Sequence, residues 1–478
     1  MDTVKPTIKH TQTLPQTLWQ CLIDTAATLD SNLDDIQWVV AFSGGKDSSA
    51  LAHVIAHIPE VANKVTLVHV HHGLQKQADH WFSHCEAFAA QLNINYEGIR
   101  VTVDEGPRQS IEANARKERY QALREYCEQK NAVLLIAQHE DDQLETVLLQ
   151  LKRGAGPKGL SAMAKLQQVD GIMQIRPWLA ESQASILTYI QDHQVSHIED
   201  PSNQDSRFDR NFLRNEVLPQ LTERWPGMAK AVTRTARLCA QQNQLIEEQA
   251  LSWLKENNVN DCSLPLTEFL SLSPLWQAET LRCWCSLHKV RVPHEAQLLS
   301  FLTALHSNSD KTPELMFSGV VLRRFANRIY LDTFSIHSLF SVSSFDKTLS
   351  LQGESHFHVP EWGITAEIKK SSETDFNSLL FSYEGLNDDR FDVKAVNSQE
   401  YLNIGKGKGK RVKKLFKEKQ VPPWCRENTL ALLHNDIVIA FIHAMGISTM
   451  RQSSVDVRAS NSHACLVVSR HIKHDQPV

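Results

Sequence analysis

The 478-residue chain has no Cys-x-x-Cys pair. Its nine cysteines are scattered at positions 21, 85, 127, 239, 262, 283, 285, 425 and 465. That spacing argues against a zinc ribbon or a redox dithiol and fits a reducing cytoplasm. No run of 18 apolar residues occurs, so no transmembrane helix is expected. The stretch from Met1 to Pro6 lacks the apolar core of a signal peptide. Positive charge is not in excess either, with 50 Lys and Arg against 55 Asp and Glu and a net charge of −5. A uniformly basic nucleic-acid binder is therefore not expected, although local basic patches remain open. Internal repeats and low-complexity tracts are missing as well. What is present is an ordinary globular composition, 42% hydrophobic and 22% charged. The length predicts two to four domains with ample core.

Residues 36–50 organise the chain. Trp38 to Phe42 is a continuous apolar run, as in a parallel strand covered on both faces. Ser43-Gly44-Gly45 then breaks the strand, and two glycines permit positive φ and close approach of backbone N–H groups to a ligand. Ser48 or Ser49 caps a helix over residues 50–57. Strand, glycine turn and helix start together make an anion site. The run is not a Walker A loop, because Lys46 is followed by Asp47 rather than Ser or Thr. Ser43-Gly44-Gly45-Lys46-Asp47-Ser48 instead resembles the Ser-Gly-Gly-x-Asp-Ser loop of the PP-loop ATP pyrophosphatases. Those enzymes cleave ATP between its α and β phosphates and transfer AMP to an oxygen. The resemblance implies that Ser43, Gly44, Gly45, Lys46, Asp47 and Ser48 bind ATP. It also implies that Asp47 holds Mg²⁺, while Lys46 and the turn amides stabilise the departing pyrophosphate.

Around this stretch, periodicity predicts a helix over 18–29, a strand over 64–70, a helix over 78–92 and a strand over 96–103. A helix follows from a Ser110 cap to Gln129, then a strand over 132–137 and a helix over 140–153 closed by Gly154. A strand over 172–178 and a helix over 182–191 complete the alternation. Such alternation implies a parallel sheet with helices on both faces and ligands beyond the carboxyl ends of the strands. Past Trp225 the pattern changes. Residues 228–306 read as successive helices, and 320–324 with 328–332 as a hairpin around Ala326-Asn327. The Ser-rich stretch 335–350 reads as a linker. Short strands around one helix, at 363–369, 437–441 and 464–469, fill the remainder. The expected fold is α/β: a parallel-sheet domain over 1–225, a mainly helical domain over 226–335 and a small α+β domain over 351–478.

Several other groups carry chemical potential. Asp142 and Glu145 share one face of the helix that opens at His139, and they face the same crevice as the glycine turn. Two carboxylates there suit a metal or a cationic substrate. The single His139 reads as structural. Gly154 to Gly159 formally matches Gly-x-Gly-x-x-Gly but follows a helix, so it reads as a loop near the ligand and not a dinucleotide site. His69, His71 and His72 lack a partner cysteine and cannot all share one sheet face, which argues against zinc. Arg210 and Arg214, four apart in a polar segment, suit phosphates. Lys406, Lys408, Lys410, Arg411, Lys413, Lys414, Lys417 and Lys419 put eight basic residues in fourteen, a density that favours RNA phosphates. Glycines 405, 407 and 409 predict a loose loop before a helix whose Val412, Leu415 and Phe416 pack inward.

In this order, the motifs resemble the tRNA(Ile)-lysidine synthetase family over most of the chain. The likeness rests on residues 43–48, 71–74, 112–120 with Ala115-Arg116, 139–146, 153–160, 200–214 and 411–424. One position departs: Gln75 stands where Arg is expected. The resemblance implies adenylylation of O2 of the wobble cytidine in a CAU anticodon of tRNA(Ile), with loss of pyrophosphate. The ε-amine of free L-lysine then attacks C2 and expels AMP. It implies further that Asp142 and Glu145 hold the lysine and that Arg116 contacts phosphate in the transition state. No membrane and no obligate protein partner are implied. A tRNA 2-thiolation enzyme or another PP-loop adenylylating ligase is the alternative; the first should carry paired cysteines and the second, if glutamine-dependent, an amidase cysteine.

Overall fold

The computed structural model describes residues 13–71, 73, 77–102, 111–257, 259, 263–306, 312–332, 345–350, 356–359, 364–370, 378–382, 390–405, 408–443, 446–449 and 463–470. The chain divides into two compact units, Met1–Gln244 and Leu245–Val478.

In the first unit the elements are α1 (Leu14–Thr28), β1 (Gln37–Ala41), α2 (Lys46–Ala56), β2 (Val65–His71), α3 (Ala78–Gln91), β3 (Asn95–Arg100), α4 (Ile111–Lys130) and β4 (Ala132–Leu135). They continue as α5 (Glu140–Lys152), α6 (Pro157–Leu160), β5 (Leu166–Val169), β6 (Ile172–Ile175), α7 (Gln183–His193), α8 (Asp209–Phe212), α9 (Leu218–Arg224) and α10 (Met228–Glu256), whose last turns pass into the second unit. The sheet order is β3-β2-β1-β4-β6-β5. Every pairing is parallel except β5 with β6. The chain winds outward from β1 to β3 and then returns to lay β4 on the other side of β1. That reversal opens a crevice at the carboxyl ends of β1 and β4, the position at which doubly wound sheets bind ligands. Alternate residues of β1 enter different cores. Trp38, Val40 and Phe42 pack with Leu18, Leu51 and Ile186 on one face. Val39 packs with Val68, Leu123 and Leu134 on the other. Both faces are covered, which explains the unbroken apolar run.

Three details differ from the sequence expectation. α2 starts at Lys46 with Gly45 as its N-cap residue, so Ser48 and Ser49 lie inside its first turn. Their hydroxyls donate back to Gly45 O and Gly44 O, each at 3.0 Å. The strand expected at 172–178 is the second arm of a hairpin whose turn, Asp170-Gly171, has positive φ at both residues, the geometry Asp-Gly favours. The 154–159 loop contains the short helix α6 capped by Gly156. Ser110, His72, Leu74 and Gln75 lie outside the described residues.

The second unit contains β7 (Ser263–Pro265), α11 (Leu266–Leu270), α12 (Pro274–Leu287), α13 (Glu295–Leu305), β8 (Glu314–Phe317), β9 (Val320–Phe325) and β10 (Arg328–Asp332). Its helices thus pack on an antiparallel sheet of order β7-β10-β9-β8. The hairpin turns at Ala326-Asn327 as expected, with Ala326 at φ +49°. Then follow β11 (Asp346–Ser350), β12 (His356–Val359), β13 (Ile364–Lys370), β14 (Ser378–Ser382), β15 (Arg390–Val396), β16 (Tyr401–Asn403), β17 (Gly409–Arg411), α14 (Val412–Glu418), β18 (Thr429–His434), β19 (Ile437–His443), β20 (Gly446–Thr449) and β21 (His463–Arg470). One sheet runs β11-β15-β18-β19-β16-β17 with β20 beside β19, and another runs β12-β13-β21-β14. The end of the expected linker is therefore strand β11, paired with β15; residues 335–344 lie outside the described residues. Val412, Leu415 and Phe416 are buried, as their spacing predicts. The expected loose loop is partly the β16–β17 hairpin, with Lys406 and Gly407 outside the described residues.

Candidate active site

β1 delivers Phe42 into the core, and the chain turns at once. Gly44 adopts φ +79°. A Cβ on it would lie 2.6 Å from Ile198 Cδ1 and 2.8 Å from Cys85 Sγ, so both conformation and space demand glycine. Ile198 N donates to Gly44 O at 2.8 Å and straps the loop down. His69 Nδ1 lies 3.0 Å from Phe42 O at the strand exit. The serines fold over the turn: Ser43 Oγ and Ser48 Oγ are 3.1 Å apart, Ser43 N donates to Ser48 Oγ at 3.2 Å and Gly45 N to Ser43 Oγ at 3.3 Å. These hydroxyls hold the amides in the geometry that an anion would meet. Lys46 and Asp47 are half-buried in the first turn of α2. Asp47 Oδ1 is buried with no hydrogen-bond partner among the described residues. A buried carboxylate oxygen without a donor, beside a phosphate loop, fits a hard divalent cation such as Mg²⁺.

β4 supplies the other wall. Its exit residue Gln138 is buried and accepts from Arg176 Nε at 2.6 Å. His139 follows, buried at 1% exposure, and its imidazole sits among acids. Nε2 is 3.5 Å from Asp142 Oδ2 and 3.8 Å from Asp47 Oδ2, while Nδ1 is 3.6 Å from Asp141 Oδ2. Burial opposes a charged imidazole, but Asp141 and Asp47, with the charge of Asp142, lift its pKa to about 10. These acids thus favour the protonated imidazole, and His139 joins the glycine turn to the acid pair. Its isolation in the sequence concealed this. The one available signal was its place at the end of a buried strand next to the switch point.

The structure brings Asp142 and Glu145 together with Arg210 and Arg214. Glu145 is buried, and Arg214 grips it in a fork, Nε to Oε1 at 2.7 Å and Nη2 to Oε2 at 2.9 Å. Arg210 Nε adds an ion pair to Glu145 Oε2 at 3.1 Å, and its Nη2 donates to Thr146 Oγ1 at 2.9 Å. Asp142 Oδ1 accepts from Arg214 at 3.1 Å, and its Oδ2 accepts from the His139 backbone N–H at 3.1 Å. Burial pushes the Glu145 carboxyl above its ordinary range against the pull of Arg214. Burial likewise opposes the charge on Arg214, but Glu145 and Asp142 overcome it and raise its pKa. The arginines expected to face phosphates therefore face carboxylates here. A short π-helical turn, Leu213–Val217, follows α8 and carries Arg214. Two guanidinium groups on Glu145 leave that acid poorly suited to a divalent cation.

The remaining predicted residues lie elsewhere. Arg116 is exposed on α4, with its guanidinium 5.0 Å from the Tyr120 ring centre. No contact joins it to the glycine turn among the described residues. In the second unit Lys410 is ion-paired with Glu418 at 2.6 Å, and Arg411 donates to Gln399 at 3.0 Å. Lys413, Lys414 and Lys417 are exposed on α14 opposite its buried stripe. Cys85, Cys127 and Cys285 are buried thiols whose pKa burial pushes up to about 12. Protonated and enclosed, these three are poor sulfur carriers.

Three family profiles match in series: a PP-loop domain over residues 20–221, a TilS substrate binding domain over 264–330 and a TilS substrate C-terminal domain over 395–461. A tRNA(Ile)-lysidine synthase of Vibrio atlanticus is 36% identical over 446 residues, which is 88% of this chain and 95% of the relative. The chain belongs to the tRNA(Ile)-lysidine synthase family. Relatives of the same name from Shewanella oneidensis and Pectobacterium atrosepticum are 36% and 35% identical, covering 84% and 91% of this chain and 89% and 95% of their own lengths. This is a family of ATP-dependent ligases that act on tRNA, and its PP-loop domain binds ATP. Among the described residues no helix is long and apolar enough to cross a membrane.

Proposed function

We propose that this chain ligates free L-lysine to C2 of the wobble cytidine of a tRNA(Ile) with a CAU anticodon, through an adenylylated tRNA intermediate. The observation that carries the reading is His139. It lies within 4 Å of both Asp47, beside the ATP loop, and Asp142, in the acid cluster. One polar cluster then serves both an adenylyl transfer and a substrate amine that arrives as an ammonium. Ser43, Gly44, Gly45, Lys46 and Ser48 cradle the ATP phosphates, with the α2 dipole behind them. Asp47 is the residue that would hold Mg²⁺, whose charge eases loss of pyrophosphate. O2 of the cytidine attacks the α phosphorus, pyrophosphate leaves, and O2 becomes part of a good leaving group. The bound ammonium then gives up a proton to solvent, the free ε-amine attacks C2, the C2–O bond breaks, and AMP departs with that oxygen. The arrangement divides the acids by role. Glu145, closed by two arginines, anchors Arg214. Asp142, whose Oδ1 accepts from Arg214 at 3.1 Å and from no other group among the described residues, is the acid we assign to the lysine ammonium. Arg116 approaches phosphate only in the complex. The 226–335 region and the 351–478 region, with Lys410, Arg411, Lys413 and Lys414, bind the tRNA.

Pyrophosphate release measured with each amino acid in turn, with and without tRNA, tests the reading. Release should require the tRNA and proceed without lysine, and only lysine should become joined to the RNA. Release that follows an amino acid in the absence of tRNA would mean amino-acid activation and would overturn it.

A further inference from the structure

Phe208 and Phe212 stand one turn apart, with Phe212 N donating to Phe208 O at 2.9 Å. They are 36% and 42% exposed, and Leu151 at the end of α5 is 54% exposed. Lys152 Nζ meets Asp209 Oδ2 at 2.6 Å and pins the end of α5 to α8. Arg153, Lys158 and Arg207 are exposed on the same two segments. Both phenylalanines keep over a third of their surface in water beside the exposed Leu151, and clustered apolar exposure of this kind marks interaction sites. The same short helix carries Arg210, which with Arg214 just beyond it is locked onto Glu145. The arginines fix the helix against the acid cluster while the phenylalanines of alternate positions remain outside. The rings are therefore held at a set distance from the reaction centre.

We propose that Phe208 and Phe212 form a stacking platform for an unpaired nucleobase of the tRNA anticodon loop that neighbours the reacting cytidine. The inference rests on the tRNA reading above. Chemistry at C2 of a cytosine requires that base to leave its stack, and its neighbour then loses a stacking partner. Proteins that bind splayed single strands replace that partner with aromatic rings. Arg153, exposed at the end of α5, suits a flanking phosphate, while Lys152 and Arg207 are paired with Asp209 and Asp205.

The test uses the full chain and a synthetic anticodon stem–loop carrying CAU, with 2-aminopurine placed on either side of the target cytidine. Stacking on a ring quenches the probe, so quenching should appear at one flanking position when wild-type protein is added. The Phe208→Leu/Phe212→Leu double variant should bind the stem–loop about ten- to a hundredfold more weakly and lose the quench. The Phe208→Tyr/Phe212→Tyr variant should keep both, and ATP affinity in each variant reports on folding. Quenching at neither position, or leucine variants that bind like wild type, would overturn the platform alone. Failure of wild-type protein to bind any stem–loop would instead overturn the tRNA reading and the platform with it.

Discussion

Asp47 shows how much one residue type decides. It occupies the position at which a Walker A loop has Ser or Thr, and the carboxylate it brings has one buried oxygen with no donor among the described residues. An uncompensated oxygen of that kind is a standing cost unless a cation or ligand meets it. Asp47→Ala should therefore abolish AMP transfer while leaving the thermal melt close to wild type. Labelled pyrophosphate release measures the first, and a folded variant that releases pyrophosphate normally would remove Asp47 from the reaction. Gly44 answers a different demand. Its positive φ and its tight approach to Ile198 are both needed before the turn can form, so the sequence signal at 44 is steric rather than chemical.

At the scale of elements, α5 and α8 with its π turn form one electrostatic unit, and its two acids should respond differently. Glu145→Gln leaves two half-buried guanidinium groups without their carboxylate, which costs roughly 1.5–3 kcal/mol of stability after solvent screening. Asp142→Asn should melt nearly as wild type but raise the lysine concentration needed for turnover about ten- to a hundredfold, the worth of one charge-assisted hydrogen bond. Adenylylation of tRNA without lysine should persist in Asp142→Asn; its loss in a single-turnover assay would refute the lysine assignment. The packing of α2 on α7 carries a pH signature. Burial, with the neighbouring His57 and His193, lowers the His53 pKa from 6.5 to about 4, and its Nδ1 is 2.9 Å from Tyr189 Oη. The unfolded chain thus takes up a proton more readily than the folded one. Stability from this site is full above pH 6.5 and falls as pH drops towards 4. His53→Gln should flatten that part of the melting profile, and an unchanged slope would show that other groups set it.

Over the whole molecule, positive charge is concentrated rather than general. α14 buries Val412, Leu415 and Phe416 and leaves Lys413, Lys414 and Lys417 in solvent within an acidic chain. Replacing those three lysines with Gln should weaken tRNA binding and flatten its salt dependence, by about 0.9 in the log–log slope for each duplex phosphate no longer neutralised. A slope equal to wild type would make the patch a solvated face. Within the second unit, Trp424 packs edge-on against Phe325 and Tyr330, with Arg323 4.9 Å above its ring. That cluster joins the stretches matched by the two TilS profiles into one body.

The strand, the glycine turn and the existence of a helix after it were legible in residues 36–50, because strand burial and φ requirements are local properties, although the helix starts at Lys46 and not after a Ser48 or Ser49 cap. The same holds for α5 and for the inward stripe of α14. Some local signals were passed over, as the Asp170-Gly171 hairpin shows. The partners of charged side chains were not local. Arg214 reaches Glu145 across 69 positions of sequence. Nothing in the spacing of Arg210 and Arg214 distinguishes a phosphate from a carboxylate as the target. His139 depended likewise on the placement of β1 beside β4, which alone brings Asp47 within its reach. Sequence periodicity determined which residues lie at the strand ends. Only the tertiary structure decided which charges meet there, because an ion pair depends on distance in space and its strength on the burial that packing creates.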